Sequence, residues 1–296
     1  MLGYPKVSVV IPTYGRADLL IKTVNSVAQQ TYDNIEIVVV DDNGKNTPNQ
    51  LATESKLQTI SDKRLKYVPL DKNHGGSFAR NVGARSSSGE YICFLDDDDE
   101  FEPTKIEKQI KLLCIDESLV ACYCNHRRKN HITGQDTVYE NDKSGNLLLD
   151  VLLFRIDVCS GSTLMVRRHI FDQLNGFTET LSRFQDYEFL TRLCALGKIG
   201  LVAEPLVIIN THQGSYRNKT FGREEADRKK YLQIIQPQID GLSPKDKKAV
   251  QFANNTYLFV SAVKLRSLRG VMKYSLKCGL NVRFFKFVLG KVKKFF

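Results

Sequence analysis

The chain has 296 residues, 42% hydrophobic and 26% charged, a balance that fits a folded protein and excludes a disordered or low-complexity chain. That length accommodates one large α/β domain with an appendage, or two modest domains. The formal charge of +10 is confined to one end: residues 247–296 hold twelve Lys or Arg and no acid, leaving 31 basic against 33 acidic residues before them. A basic tail of this kind answers to nucleic acid, an anionic membrane surface or a polyanionic substrate. Seven cysteines without a signal peptide point to reduced thiols in a cytosolic setting. The longest uncharged run, residues 249–263, includes Gln251, Asn254 and Asn255. It is too short and too polar for a bilayer span, which needs about 20 mostly apolar residues.

Residues 7–11 (VSVVI) form a β-branched run closed by Pro12, a buried strand leading into a loop. Leu20, Val24 and Val27 then recur at helical spacing. A second strand, residues 35–40 (IEIVVV), stops at the turn signal Asp41, Asp42, Asn43, Gly44. Residues 65–68 make a third strand, followed by a loop with Gly75 and Gly76 and a helix over 77–85, with Ser77 read as its N-cap. A fourth strand, residues 91–95, breaks into Asp96, Asp97, Asp98 and Asp99, and Pro103 opens another helix. Strand and helix alternate with short connections, which predicts an α/β fold with a mostly parallel central sheet flanked by helices. After residues 119–124 the pattern is less regular: strands at 162–166 and 206–210, a helix at 186–196, and a helical, basic extension beyond 220. The division predicted is a catalytic domain over 1–220 and a basic helical region over 221–296.

Ligands of such sheets sit beyond the carboxyl ends of the strands, so the acids after the second and fourth strands should face one crevice. In an extended segment Asp96 and Asp98 point the same way, and two carboxylates on one side suit a hard divalent cation. The bland alternative is a solvated acidic loop. Asp41 and Asp42 are equally suited to a turn or cap. Asp186 and Glu188 begin a helix, where the macrodipole stabilises acids without any catalytic role. Cys122 and Cys124, with His126 and His131, invite a zinc reading, but the spacing fits no tetrahedral site and structural cysteines are the better account.

Four segments, VSVVIPTYGR, IEIVVVDDNG, the ARN at residues 79–81 and GEYICFLDDDD, occur in the order found in family 2 glycosyltransferases, which this chain resembles over about residues 5–215. The resemblance implies the GT-A fold and inverting transfer of a sugar from a nucleotide diphosphate donor, UDP-linked by preference, to a hydroxyl acceptor. It places Pro12, Thr13 and Tyr14 along the nucleotide pocket, Asp42 at the base and Arg80 near the donor. A divalent cation, Mn²⁺ or Mg²⁺, would be held by Asp96 and Asp98, with Asp97 as the alternative ligand. Gly176-Phe177 followed by residues 184–189 (FQDYEF) matches the family's second motif, making Asp186 the general base. Gln185 stands where many relatives have Glu, so the site has one acid fewer than the usual pattern. His212 resembles a further metal or diphosphate ligand, Mn²⁺ being the better partner for imidazole; a loop histidine without a ligand is the alternative.

The tail brings Phe284, Phe287 and Val288 together at helical spacing among Arg283, Lys286, Lys291, Lys293 and Lys294. Such a segment can lie in a membrane interface, consistent with a glycan or lipid-linked acceptor in cell-surface polysaccharide or lipopolysaccharide synthesis at the inner face of the cell membrane. The alternative is a helical subdomain with a solvated basic face. A metal-dependent nucleotidyl- or phosphotransferase would need a phosphate-cradling glycine loop, which residues 12–15 do not supply. Nucleic-acid binding is disfavoured by the balanced charge of the first 246 residues. A non-catalytic sugar-nucleotide binder is disfavoured by the intact acids.

Overall fold

The computed structural model describes residues 5–158, 161–212 and 220–279. The chain divides into two compact units, residues 1–147 with 156–215, and residues 148–155 with 216–296. The sequence boundary at 220/221 does not anticipate that residues 148–155 join the C-terminal unit.

The first unit opens with β1 (Val7–Thr13), α1 (Ala17–Ala28) and β2 (Ile35–Asp41). It continues through α2 (Pro48–Leu57), β3 (Leu65–Pro69), α3 (Gly76–Arg85) and β4 (Tyr91–Phe94). Then come β5 (Glu100–Phe101), α4 (Lys105–Ile115), β6 (Leu119–Asn130) and β7 (Asp136–Tyr139). After the excursion of α5 (Leu148–Leu152) into the second unit come β8 (Met165–Arg167), α6 (Arg168–Gln173), α7 (Gln185–Leu196) and β9 (Lys198–Thr211). The sheet runs β3-β2-β1-β4-β8-β6-β9-β5, with β7 beside β6. Strands β3, β2, β1 and β4 are parallel, as is the long β6–β9 pair, while β8, β5 and β7 pair antiparallel.

The β-branched runs are buried on both faces, as parallel strands require. Val7, Val9, Val10 and Ile11 of β1 and Ile37, Val38, Val39 and Val40 of β2 are all fully buried. Each such side chain contributes about 1.5–3 kcal/mol when withdrawn from water. Leu20, Val24 and Val27 of α1 pack on one face of this sheet. On the other face α3 lies so close that a Cβ at Gly83 would overlap Val10 and press on Val40. The register aligns the strand ends: Thr13 pairs with Asp41, and Val10 with Phe94 just before the acidic run.

Several local expectations change. The sequence reading passes over α2, although Thr47 caps it by accepting from the Gln50 amide and Pro48 begins it. The N-cap of α3 is Gly75 at φ 92°, and Ser77 lies inside the helix. The strand expected at 162–166 is only Met165–Arg167, with Ser162 in a turn that serves the site described below.

The second unit contains α5, α8 (Phe221–Ile234), α9 (Gln236–Asp240), α10 (Pro244–Lys264) and α11 (Leu268–Cys278). At its centre Arg228 is buried among the rings of Tyr231, Phe154 and Tyr257, at 4.3, 4.6 and 5.0 Å, and its guanidinium donates to the Asn254 side chain. A cation surrounded by π-faces and hydrogen-bonded is one that a core can hold. Among the described residues no helix is long and apolar enough to cross a membrane. The tail residues Arg283, Phe284, Lys286, Phe287, Val288, Lys291, Lys293 and Lys294 lie outside the described residues.

Candidate active site

Because β2, β1 and β4 are adjacent and parallel, Asp42, Thr13 and the acidic run emerge side by side at the carboxyl edge of the sheet. The run itself is a turn, closed by the Asp99 amide donating to the Asp96 carbonyl at 3.0 Å. The extended geometry expected of it therefore does not apply, and each acid has its own surroundings. Asp97 is buried: its Oδ2 accepts from the Thr13 hydroxyl at 2.8 Å and the Tyr14 amide at 3.2 Å, and its Oδ1 from Arg16 at 3.0 Å. Asp98 is half-buried and meets the same guanidinium at 2.7 Å. Asp96, also half-buried, accepts from Arg80 at 2.5 Å. Asp99 is buried, and its oxygens take the Asn210 amide at 3.1 Å and the Ser162 hydroxyl at 2.9 Å.

The electrostatics follow from burial and crowding. Loss of solvent, with Asp96 and Asp97 beside it, lifts the Asp98 carboxyl to about 6 against the pull of Arg16. Burial also raises Asp97 and, far more strongly, Asp99. Burial and crowding thus disfavour the charged forms of Asp97, Asp98 and Asp99, and Arg16, paired with Asp97 and Asp98, opposes the shift at those two.

Asp42 is 3% exposed, and its carboxylate accepts from the His74 amide at 2.7 Å, the Gly75 amide at 2.8 Å and the Asn73 side chain at 3.1 Å. It shapes the loop that starts α3. Asp41 is fully buried and accepts from the Tyr67 hydroxyl at 2.7 Å and from Asn43, whose own side chain accepts from the Gly15 amide at 2.8 Å. The loops after β1 and β2 are therefore fastened to each other. Tyr14 is 51% exposed at their edge, and Pro12 is half-buried.

The ARN segment reaches two places. Arg80 is buried, with Nε and one terminal nitrogen shielded from solvent and lacking a hydrogen-bond partner. Asn81 donates to the Phe177 carbonyl at 2.9 Å and accepts from the Phe177 amide at 2.8 Å. That clasp pins the Gly176-Phe177 turn, whose ring stacks on Phe189 of α7 at 4.5 Å. The chain enters α7 through Phe184 at φ 62°, an uncommon backbone state for a bulky residue. Asp186 arrives within the field of Arg80 and Asp96. Its Oδ1 is shielded from solvent and has no hydrogen-bond partner, and desolvation raises its pKa to about 6 although Arg80 opposes the shift. Glu188 differs: it is fully buried and doubly paired with Arg192, at 2.5 and 2.9 Å, while Arg192 also donates to the carbonyls of Leu174 and Gly176.

His212 stacks on His131 with centroids 4.6 Å apart, and both line a cavity of about 50 Å³ with Asp98, Glu100, Lys22 and Asn210. Asn210 is the hub of this corner. Its side chain donates to the Asp98 carbonyl at 2.8 Å and to Glu100 at 3.0 Å, and its oxygen lies 2.8 Å from His131 Nε2. Sequence inspection placed Asp99 in the acidic run without a role of its own, and missed Arg16, Ser162, His131 and Asn210 as members of the site. Arg16 alone gave a signal, since a run of four acids calls for a counter-charge and Arg16 ends the first motif.

The zinc reading finds no support: Cys122 and Cys124 are buried in the core, and His126 stacks on Tyr139 while His131 pairs with His212. Among the described residues no three His, Cys, Asp or Glu side chains group as a metal site.

Residues 8–174 match the family described as glycosyl transferase family 2. An uncharacterized glycosyltransferase of Rickettsia typhi is 30% identical over 230 residues, covering 75% of this chain and 69% of that one. Another, of Rickettsia prowazekii, is 27% identical over 286 residues, covering 94% and 85%. Among solved structures, S. aureus TarS 1–349 in complex with UDP-GlcNAc superposes with a TM-score of 0.66 at 20% identity, covering 93% of this chain and 76% of that one. The mannosyltransferase PcManGT of Pyrobaculum calidifontis, in complex with GDP-Man and Mn²⁺, gives 0.62 at 19% identity, covering 99% and 82%. A family match over more than half of the chain, on a sheet whose acid-bearing strand ends meet at one edge, makes this protein a member of glycosyl transferase family 2 with the GT-A fold.

Proposed function

We propose that the protein transfers a hexosyl or N-acetylhexosaminyl group from a nucleotide diphosphate sugar, UDP-linked by preference, to a hydroxyl of a glycan or lipid-linked acceptor, inverting the anomeric configuration. The observation that carries this reading is the convergence of Asp96 and Asp186 on one buried arginine, Arg80, which has donor groups to spare. A diphosphate is the ligand such an arginine favours. UDP-GlcNAc in TarS supports the choice of donor.

In this reading the nucleoside lies along Pro12, Thr13 and Tyr14, with the exposed Tyr14 ring against the base. Asp42 orders the loop through residues 73–75 that closes the same pocket, and contacts the base from there. Asp96 and Asp98, the half-exposed members of the turn, are the oxygen donors that would hold Mn²⁺ or Mg²⁺, with His212, which shares the small cavity with Asp98, as a further donor; binding would have to draw the two acids from Arg80 and Arg16, since the three side chains do not group as they stand. Fewer than a full coordination shell comes from the protein, so diphosphate oxygens and water would complete it. Asp97 is committed to Thr13, Tyr14 and Arg16 and acts as scaffold. When bound, the cation offsets the negative charge that builds on the departing nucleoside diphosphate.

Asp186 accepts the proton of the acceptor hydroxyl as that oxygen attacks the anomeric carbon from the face opposite the leaving group. With its pKa near 6 it is ionised at neutral pH yet basic enough to take a proton. Its Oδ1, shielded from solvent, has no hydrogen bond to give up when it takes the acceptor's proton. One displacement makes a β-linked product from an α-linked donor. A place at the inner face of the cell membrane, with contact through the basic tail, would give access to a lipid-linked acceptor.

The test is a panel of nucleotide sugars with Mn²⁺ or Mg²⁺, reading donor hydrolysis, transfer and thermal shift. One UDP-sugar should raise the melting temperature in a metal-dependent way and be turned over. A protein that is stabilised by a sugar nucleotide but never cleaves or transfers it would be a binder without catalysis.

A further inference from the structure

Helix α11 turns Gly270, Tyr274 and Cys278 inward, and Gly270 is required there because a Cβ would overlap Phe221 and Ala262. Two residues out of phase, Leu268, Met272 and Leu276 form a second apolar line, 82%, 65% and 76% exposed. They are three of the four most exposed large apolar side chains among the described residues. The spacing of four brings them onto one face, so this is a stripe and not scattered exposure. Around the helix from this stripe stand the exposed Arg269, Lys273 and Lys277, and Lys264 and Arg266 precede it. No acid occurs anywhere in residues 247–296; among the described residues Glu225 of α8 meets this flank, bound to Lys273 at 2.6 Å and to the Tyr274 hydroxyl at 2.6 Å.

We infer that α11 is a membrane-docking helix, whose Leu268–Met272–Leu276 stripe enters the interface of a bilayer rich in anionic phospholipid while the adjoining cations meet the head groups. Two properties select a lipid surface over a protein. The first is charge: a one-sided row of cations with no acid of its own complements anionic head groups. The second is area: three side chains on a single helix fall well short of the ~800 Å² per partner of a stable protein interface, whereas an interfacial helix needs only an apolar face and a cationic flank. The inference takes its purpose from the proposed lipid-linked acceptor, but its evidence is the stripe itself, which lies apart from the catalytic residues in sequence and belongs to the described residues, unlike the aromatic tail beyond it.

Flotation of the full-length chain decides it, using phosphatidylcholine vesicles with and without phosphatidylglycerol. The wild type should float with the anionic vesicles, weakly with the neutral ones, and less as salt rises. The triple variant Leu268→Ser, Met272→Ser, Leu276→Ser, with the tail intact, should lose at least tenfold in partitioning while keeping its melting temperature. Leu268→Ser alone should give a smaller loss in the same direction, which keeps the test open if the triple variant folds poorly. Arg269→Gln with Lys277→Gln should shrink the dependence on phosphatidylglycerol. Undiminished flotation of the serine variants overturns the inference, as does a wild type that fails to float. A lowered melting temperature with unchanged flotation would mean that this chain's own segment 280–296 covers the stripe. A wild-type dimer that the triple variant dissolves would mean that a second copy does. Hydrolysis of the UDP-sugar in lipid-free solution should be equal in wild type and triple variant. Its absence from both would count against the proposed reaction and leave the docking result standing.

Discussion

The acidic turn after β4 and the first turn of α7 both place carboxylates at the same edge of the sheet, yet they are built on opposite terms. In the turn, Asp97 and Asp99 have their oxygens taken by Thr13, Tyr14, Arg16, Ser162 and Asn210. At the helix start, Asp186 keeps a shielded oxygen without a partner, while its neighbour Glu188 is locked to Arg192. A shielded carboxylate oxygen left without a partner costs the fold free energy that a satisfied one does not, and the turn leading to Asp186 is fixed by the Asn81 clasp and the Phe177–Phe189 stack. The contrast separates acids whose oxygens are already engaged from the acid that the proposed reaction uses as its base.

Asp186→Asn puts the most weight on that contrast. It should lower kcat by about 10²–10⁴-fold, the range of a lost general base. Calorimetry should find UDP and Mn²⁺ binding nearly unchanged, and near-normal turnover would end the assignment. Next, Asp98→Ala should abolish the metal-stimulated part of UDP binding; equal affinity with and without Mn²⁺ in both proteins would show that the turn holds no cation. The pH profile follows from the raised Asp186 carboxyl. Protonated below about pH 6 and ionised above it, it should make kcat/KM climb about tenfold per unit up to that point and level off beyond. A flat profile from pH 5 to 8 would contradict a base with the displaced pKa.

Smaller effects sharpen the scaffold side. Asn210→Ala removes the side-chain bonds to Asp98, Glu100 and His131. It should cost about 1–3 kcal/mol of stability and weaken Mn²⁺–UDP binding more than UDP binding alone. Glu188→Gln should also destabilise by about 1–3 kcal/mol in denaturant titrations, with activity per folded molecule kept. If Glu188→Gln lowered kcat as Asp186→Asn does, the division between building and reacting acids would fail.

The first hundred residues were the most legible because their signals are local. A β-branched run buried on both faces, followed at once by acids or a Gly-rich turn, names a strand of a parallel sheet and its carboxyl end in one stretch. The later half was less so. The strand β6 runs on to Asn130 through polar residues such as His126 and Arg128, held by β9 and β7 and not by its own pattern. Residues 148–155 fall within the 1–220 domain by sequence, and only packing, with Phe154 against Arg228, assigns them to the second unit.

By itself the amino-acid order determined the α/β class, the family and the three stretches where carboxylates gather, since periodicity and motif order survive without coordinates. Tertiary structure alone decided which carboxylate oxygens are engaged and which one is left without a partner. The turn at 96–99 overrode the alternation of an extended strand, and Arg16, Arg80, Ser162 and Asn210 came from distant elements to engage some acids and leave Asp186 available. Charge, burial and hydrogen-bond supply are properties of neighbours in space, and those neighbours lie 16 to 112 positions away in the chain.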